Sequence, residues 1–377
     1  MSRIRWRSLQ SAAIIAARPR SYFLMAMPSP SSICLLRLSA LGDVTHVVPM
    51  ARTLKAQLPD ARITWIIGKL EAKLVGDIPD VEFIVFDKRA GISAFRDLAR
   101  QLSGRRFDAL LQCQVALRAN LVSLLVRAGM RVGYDAARSK DLHGLVINRR
   151  ITARHGQHVL DAIGSFVEPL GLSPLPPRWD IPVGATDVAA AATLLPGEQP
   201  TLLLSPCSSH PRRNWRAERY AAVADHAVQR HGLRVALTGG PSGAEHAMAR
   251  TIRDAMREPV LDLVGRDTLK QFLALCSRSV AVLSPDSGPM HMANAVGTKV
   301  VGLHAASNPE RSGPYSDRRW CVDRYDAAAR KFRGASADTL PWGTKLEYDG
   351  VMDLVEVDAV IERLDALMAW RQAGGAP

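Results

Sequence analysis

Four short stretches combine ionisable or hydroxyl side chains with glycine or proline directly after an apolar run, where a strand would hand its chain to a helix. The first is Ser284-Pro285-Asp286-Ser287-Gly288-Pro289-Met290-His291. Proline suits the first helical position, because its missing N–H would lack a partner there anyway, and Gly288 admits close backbone approach. The N–H groups of such a helix start, helped by the helix dipole, form a site for a phosphate or diphosphate. His291 lies in the first turn, within reach of the same anion. A capped helix with Asp286 or Ser287 as N-cap fits the local pattern too.

The second stretch, Ser205–Trp215, gathers hydroxyls, Arg212, Arg213 and Asn214 on a strand-to-helix loop. Arginines so placed can neutralise a leaving diphosphate without a metal, although surface arginines are more often simply solvated. The third, Thr238–Gly243, is glycine-rich and precedes a helix holding Glu245. It lacks the G-x-G-x-x-G spacing of a dinucleotide fingerprint. The Glu245 carboxylate can accept hydrogen bonds from a ribose, or the stretch is a plain turn. In the fourth, Leu38–Pro49, Asp43 follows Gly42 at the end of the first apolar run. A carboxylate there can take the proton from an attacking hydroxyl, or serve as an N-cap. Pro49 predicts a kink.

These loops need a frame that aims them at one another. In the first half, apolar runs at 33–38, 62–67, 82–86 and 107–112 read as buried strands, and helical periodicity falls at 43–58, 92–102, 117–128 and 158–170. Strands alternating with helices of this length imply right-handed crossovers and a parallel sheet. Residues 171–182 hold four prolines and read as a linker. The second half repeats the alternation, with strands at 201–205, 233–238, 280–284 and 299–303 and helices at 217–230, 244–256, 269–277 and 290–296. The expected fold class is α/β, with two Rossmann-like doubly wound domains facing a central cleft. The expected boundaries are a basic extension at 1–32, a first domain at 33–178 and a second at 179–355. A C-terminal helix within 356–377 is expected to pack back on the first domain.

Composition narrows the function. Of 377 residues, 47% are hydrophobic and 23% charged, which excludes extensive disorder. Five scattered cysteines, with no C-x-x-C and no grouping with histidine, predict reduced thiols of a cytosolic protein and no zinc site. The net charge of +13 fits a polyanionic partner or a merely solvated basic surface, and charge alone does not choose between them. The basic stretches are not interleaved with aromatics and match no nucleic-acid motif, which favours a phosphate-rich small or lipid partner over nucleic acid. Residues 1–32 carry five arginines and no acid, with no convincing cleavage signal, and read as a disordered extension or as an early start ahead of Met25 or Met27. No run of 18 apolar residues is present to span a membrane.

Leu-Gly-Asp-Val at 41–44, Arg-Asn-Trp at 213–215, and Asp-Ser-Gly-x-x-His at 286–291 followed by Ala293, Ala295 and Gly297 together make a pattern. It resembles that of family 9 glycosyltransferases, the bacterial lipopolysaccharide heptosyltransferases. The correspondence runs over about residues 33–305. Weaker matches are Gln114 with Arg118, Arg138 after Gly133-Tyr134-Asp135, and His158 at the start of its helix. The resemblance implies a GT-B fold, ADP-L-glycero-D-manno-heptose as donor, and inverting transfer with neither cofactor nor metal. It implies that Asp43 deprotonates the acceptor hydroxyl and that Arg213 holds the donor diphosphate, where many relatives have lysine. It further implies that Glu245 contacts the ribose or adenine side, and that Asp286, Ser287, Gly288 and His291 line the phosphates and sugar. Gln114, Arg118, Arg138 and His158 would touch the acceptor, which would be Kdo–lipid A or a heptose already on the inner core. The protein would then work in the cytoplasm, peripherally on the inner membrane. Serine at 287 departs from the commoner threonine, and residues 311–348, including Pro341-Trp342-Gly343, match nothing assignable. The alternatives are a GT-B-like sugar-nucleotide epimerase or hydrolase, a non-catalytic protein binding membrane or nucleic acid through its basic surface, and a Rossmann dehydrogenase, which the missing glycine fingerprint disfavours.

Overall fold

The computed structural model describes residues 30–375. Nearly all of the extension expected over 1–32 lies outside them. Six strands form the first sheet: β1 (Ser32–Leu36), β2 (Arg62–Gly68), β3 (Val81–Phe86), β4 (Phe107–Gln112), β5 (Ala128–Gly133) and β6 (Arg149–Arg150). Six form the second: β7 (Thr201–Leu204), β8 (Arg234–Leu237), β9 (Val260–Asp262), β10 (Ala281–Pro285), β11 (Lys299–His304) and β12 (Val322–Asp323). The orders are β3-β2-β1-β4-β5-β6 and β12-β11-β10-β7-β8-β9, every pair parallel. Read from its own first strand, the second sheet has the topology of the first. Both are doubly wound, and in each the chain direction across the sheet reverses next to the first strand.

The central strands are the ones with continuous apolar runs. Ile33 to Leu36 of β1 and all of β7 are buried, as strands covered by helices on both faces must be. Away from the centre the pattern differs. The helix expected to reach 128 stops at Ser123, and the chain then enters β5, Ala-Gly-Met-Arg-Val-Gly, whose glycines and arginine hide it as a strand. The Leu41–Gln57 helix runs through Pro49 without a break.

The two domains share apolar contact. One buried cluster runs from Val44, Val47 and Trp65 of the first domain through Leu273, Met290 and Val300 of the second. The helices Leu41–Gln57 and Gly288–Ala295 pack against each other across this boundary, as do Ala185–Leu194 and Leu269–Ser277 within the second half. The C-terminal helix Val357–Gln372 corrects an expectation. It packs on the second domain, against the Ala217–His231 helix and β11. Val360, Leu364, Leu367 and Met368 belong to the second hydrophobic cluster, and Asp365 accepts hydrogen bonds from His226 (2.7 Å) and His231 (2.6 Å). Its apolar face therefore completes the core nearest to it in the chain.

Candidate active site

The switch point of each sheet lies between its first strand and its fourth, and the loops leaving those strands build the site. In the first domain these loops follow β1 and β4; in the second they follow β7 and β10. They face one another across a cleft of about 520 Å³ lined by Arg37, Asp43, His46, Arg138, Arg213, Asp286, Ser287, Gly288, His291, Arg311, Trp342 and Lys345, among others. Asp43, Arg138, Arg213 and the 286–291 group, singled out from sequence, are therefore brought together.

On the first wall, Asp43 stands in the first turn of the Leu41–Gln57 helix, and its carboxylate accepts the Ala40 N–H (3.2 Å). Ala40, with no polar side chain, is the N-cap. Asp43 supplies the reciprocal half of a capping box and keeps its other acceptor sites for the cleft. Arg37 leaves β1, donates to the Ser39 carbonyl (2.7 Å) and to that of Cys113, and forms an ion pair with Asp43. Burial works against the Arg37 charge, but Asp43, helped by Tyr134 and Cys113, overrides it and raises its pKa. One guanidinium thus fixes the carboxylate relative to the ends of β1 and β4. Arg138 is held by Asp135 (2.5 Å) and Gln157 (3.0 Å).

On the second wall, Ser287 is the N-cap of the Gly288–Ala295 helix, yet its hydroxyl pairs with Ser284 Oγ (2.8 Å) and no side chain caps the helix. The free N–H groups that the sequence offered to an anion remain available. Asp286 is buried. Lys345 Nζ lies 2.6 Å from one of its oxygens and His291 Nε2 lies 3.7 Å from the other. Burial alone would raise the Asp286 pKa; Lys345 and then His291 override it and hold the carboxyl well below the usual range. Arg213 donates through Nε to Glu347 (2.7 Å), and its other guanidinium nitrogens have no protein acceptor among the described residues. The rest of its motif is scaffold. Asn214 accepts the Ser208 N–H (2.7 Å), and buried Trp215 donates to the Val355 carbonyl (2.9 Å). Arg212 turns away, pairing with exposed Asp349.

Lys345, Arg311 and Trp342 all come from the 311–348 segment, which the sequence left without a role. Trp342 donates to the Gln157 carbonyl of the first domain (2.8 Å). Gly343 has φ +105°, and a Cβ there would stand 2.9 Å from Arg311 Nε, so only glycine lets this turn lie on the arginine.

Gly42 and Gly288 let the two helix starts meet. A Cβ on Gly42 would lie 2.4 Å from His291 Cδ2, and one on Gly288 would lie 3.3 Å from Leu41 Cβ. The His291 ring is 4.7 Å from that of His46, which is 5.7 Å from that of His158. Burial, then the neighbouring imidazoles, pushes the His46 pKa well down.

Four residues expected in the site do not line the cleft. His158 is a helix N-cap: its Nδ1 accepts the Leu160 N–H (3.1 Å), and its Nε2 donates to the Gly313 carbonyl of the other domain (3.1 Å). It does not line the cleft, and burial depresses its pKa to about 3. Gln114 and Arg118 line a separate first-domain cavity of about 370 Å³ together with Lys69, Lys73, Lys88 and Arg89. Glu245 is likewise outside the cleft lining; its carboxylate accepts Gly240 N–H (2.8 Å) and Ser242 Oγ–H (2.7 Å). Among the described residues, the one group of three histidine, cysteine or carboxylate atoms at ligand spacing is His226, His231 and Asp365, away from the cleft. All five cysteines are free, and only Cys207 is not fully buried.

Comparison with known proteins agrees with this geometry. Residues 95–338 match the family model for glycosyltransferase family 9 (heptosyltransferase). The lipopolysaccharide core heptosyltransferase OpsX of Haemophilus influenzae is 37% identical over 339 residues, covering 90% of this chain and 97% of that protein. Among solved structures, a family 9 glycosyltransferase from Veillonella parvula superposes with a TM-score of 0.74 at 22% identity, over 91% of this chain and 99% of that one. Escherichia coli heptosyltransferase WaaC with ADP gives a TM-score of 0.68 at 16% identity, over 89% and 99%. With two facing doubly wound domains, the motif residues of both in one cleft, and a relative matched along almost its whole length, the chain belongs to glycosyltransferase family 9 and is a glycosyltransferase of GT-B fold.

Proposed function

We propose that the protein transfers a heptose from ADP-L-glycero-D-manno-heptose to the Kdo or heptose inner core of lipopolysaccharide, inverting the anomeric centre without a metal. The observation that carries this reading is the opposition, across one cleft, of a carboxylate on the first domain and an uncapped helix start on the second. Support for the sugar and the acceptor comes from the H. influenzae core heptosyltransferase, which this chain resembles along nearly its whole length.

In this mechanism the donor diphosphate takes the N–H groups of the Gly288–Ala295 helix and the unpaired face of Arg213. Those groups stabilise the charge that develops on the leaving ADP, the role a cation would otherwise fill. Asp286, oriented by Lys345, accepts hydrogen bonds from sugar hydroxyls. Asp43, oriented by Arg37, takes the proton from the acceptor hydroxyl as that oxygen attacks the anomeric carbon from the face opposite the departing phosphate. The bond from the anomeric carbon to the phosphate oxygen breaks as the new glycosidic bond forms, and ADP leaves. Work on a lipid-linked acceptor places the protein peripherally at the cytoplasmic face of the inner membrane.

Mass spectrometry of Kdo–lipid A and heptosylated core incubated with ADP-heptose, and separately with UDP-hexoses, tests the reading. It expects a gain of one heptose with the ADP donor alone. Asp43→Asn should lower kcat by about 10²–10⁴-fold while ADP binding by calorimetry is kept. No mass gain with any heptose donor would refute the sugar assignment.

A further inference from the structure

Five leucines stand exposed on the first domain beside the mouth of the cleft. Leu117, Leu121, Leu124, Leu142 and Leu145 are 49, 46, 62, 66 and 80% exposed. The first three are spaced i, i+4 and i+7, so they share one face of the Leu117–Ser123 helix and its C-cap. The other two border the 3₁₀ turn His143–Leu145.

These two pieces form one rigid surface. The Leu117 N–H donates to the Asp141 carboxylate (3.3 Å), and Asn120 Nδ2 donates to the Asp141 carbonyl (2.6 Å). Beneath them, Asn120 Oδ1 is shared by Gln112 Nε2 (2.5 Å) and buried His143 Nδ1 (3.1 Å). A polar network under an exposed leucine face fixes those leucines in place and gives them nothing to pack against.

Charge identifies the occupant. Residues 115–150 hold seven arginines and lysines against two acids, Asp135 and Asp141. Asp135 is taken by Arg138. Arg118, Arg127, Lys140, Arg149 and Arg150 are exposed, and none has an ion-pair partner among the described residues. A second copy on this face would set like charges against like. An anionic bilayer accepts both features at once, leucines entering the acyl boundary while the cations meet the headgroups. The position fits as well: Val115, Arg138 and Lys140 line the cleft, and Gln114, Ala116 and Arg118 line the neighbouring cavity, so the surface opens into both.

We propose that this leucine face and its rim of unpaired cations dock the protein on an anionic lipid surface, holding the cleft mouth at the bilayer. The proposal draws its purpose from the glycolipid acceptor read above, but its test does not require that acceptor. The full chain is sedimented with vesicles of phosphatidylethanolamine and phosphatidylglycerol, and with vesicles of phosphatidylcholine alone. Binding is expected to the first and not the second. The triple variant Leu121→Ser/Leu124→Ser/Leu145→Ser and the double variant Arg127→Glu/Arg149→Glu should each weaken it by about tenfold or more. Because the changed side chains are exposed, thermal unfolding and turnover of a deacylated, water-soluble acceptor should stay as in the wild type, while turnover of vesicle-borne acceptor falls. Equal binding to both vesicle types, no binding to either, or unaltered binding by the variants would overturn the proposal. So would sedimentation velocity showing a dimer that the leucine variant dissociates while vesicle binding persists. Intact vesicle binding with no heptose transfer would instead count against the proposed reaction alone.

Discussion

The decisive residues form two carboxylate–cation pairs, Asp43 with Arg37 and Asp286 with Lys345. The acids could be found in sequence because each follows the end of an apolar run by a few positions, where a doubly wound sheet puts its chemistry. Their partners could not. Arg37 is embedded in the apolar run 33–38, one position past the end of β1, and Lys345 lies 59 residues from Asp286 in a segment without regular periodicity. Lys345 makes a sharp prediction. Asp286 is buried, so Lys345→Met leaves an uncompensated carboxylate, and unfolding in urea should show a loss of about 2–4 kcal/mol at neutral pH. The double variant Asp286→Asn/Lys345→Met removes both charges and should recover most of that loss. Equal stability of Lys345→Met and wild type would show the pair to be a surface contact with no share in holding the loop.

At the scale of elements, two helix starts from different domains meet on two glycines. Gly→Ala inside a helix ordinarily stabilises by about 0.5–1 kcal/mol. At Gly42 the sign should reverse, because the new methyl would stand 2.4 Å from the His291 ring, and His46 flanks that ring. Gly42→Ala should therefore cost about 1–3 kcal/mol or push the domains apart. In either case kcat should fall more than ADP affinity, since the proposed nucleotide site lies on the second domain alone. Calorimetry of ADP binding beside steady-state kinetics separates the two; a more stable, fully active variant would show that the helices do not need this approach. The elements themselves were legible to different degrees. Phe107–Gln112 and Leu269–Ser277 have the bounds their periodicity predicts, and Val357–Gln372 falls inside the expected 356–377. Strand β5 went unread because it is rich in glycine and carries an arginine, and β6, β9 and β12 because they are two or three residues long at sheet edges, where no continuous apolar run is needed. The destination of the C-terminal helix was unreadable for another reason: periodicity gives a helix an apolar face without naming the core that receives it.

For the whole molecule, four buried histidines must stay neutral, and two of them, His46 and His158, stand at the domain boundary. Burial depresses the pKa of His143 and His304 to about 4 and that of His158 to about 3, and it holds His46 well below its usual value. In the unfolded chain each histidine titrates near 6.5, so between that value and its folded pKa the unfolded state binds more protons. The stability these histidines confer is complete above about pH 6.5 and is lost as pH falls, by roughly 1.4 kcal/mol per unit for each. Asp286, whose folded pKa is held well below the usual range, begins to lose its contribution only near pH 4 and below, where the carboxyl of the unfolded chain takes up its proton. The thermal midpoint should thus drop steeply between about pH 6.5 and 4, ahead of the usual carboxylate range. His158 holds a particular place in that loss, because its Nδ1 must accept the Leu160 N–H while its Nε2 donates to Gly313 across the boundary. Protonation removes the acceptor and with it the cap, so acid should weaken this tether between domains as well as each domain's own stability. His158→Gln cannot titrate, and should flatten the pH dependence by about one proton's worth of slope while lowering stability at neutral pH. A slope unchanged by that substitution would show that His158 is not among the acid-sensitive groups, and His46 would be the next residue to replace.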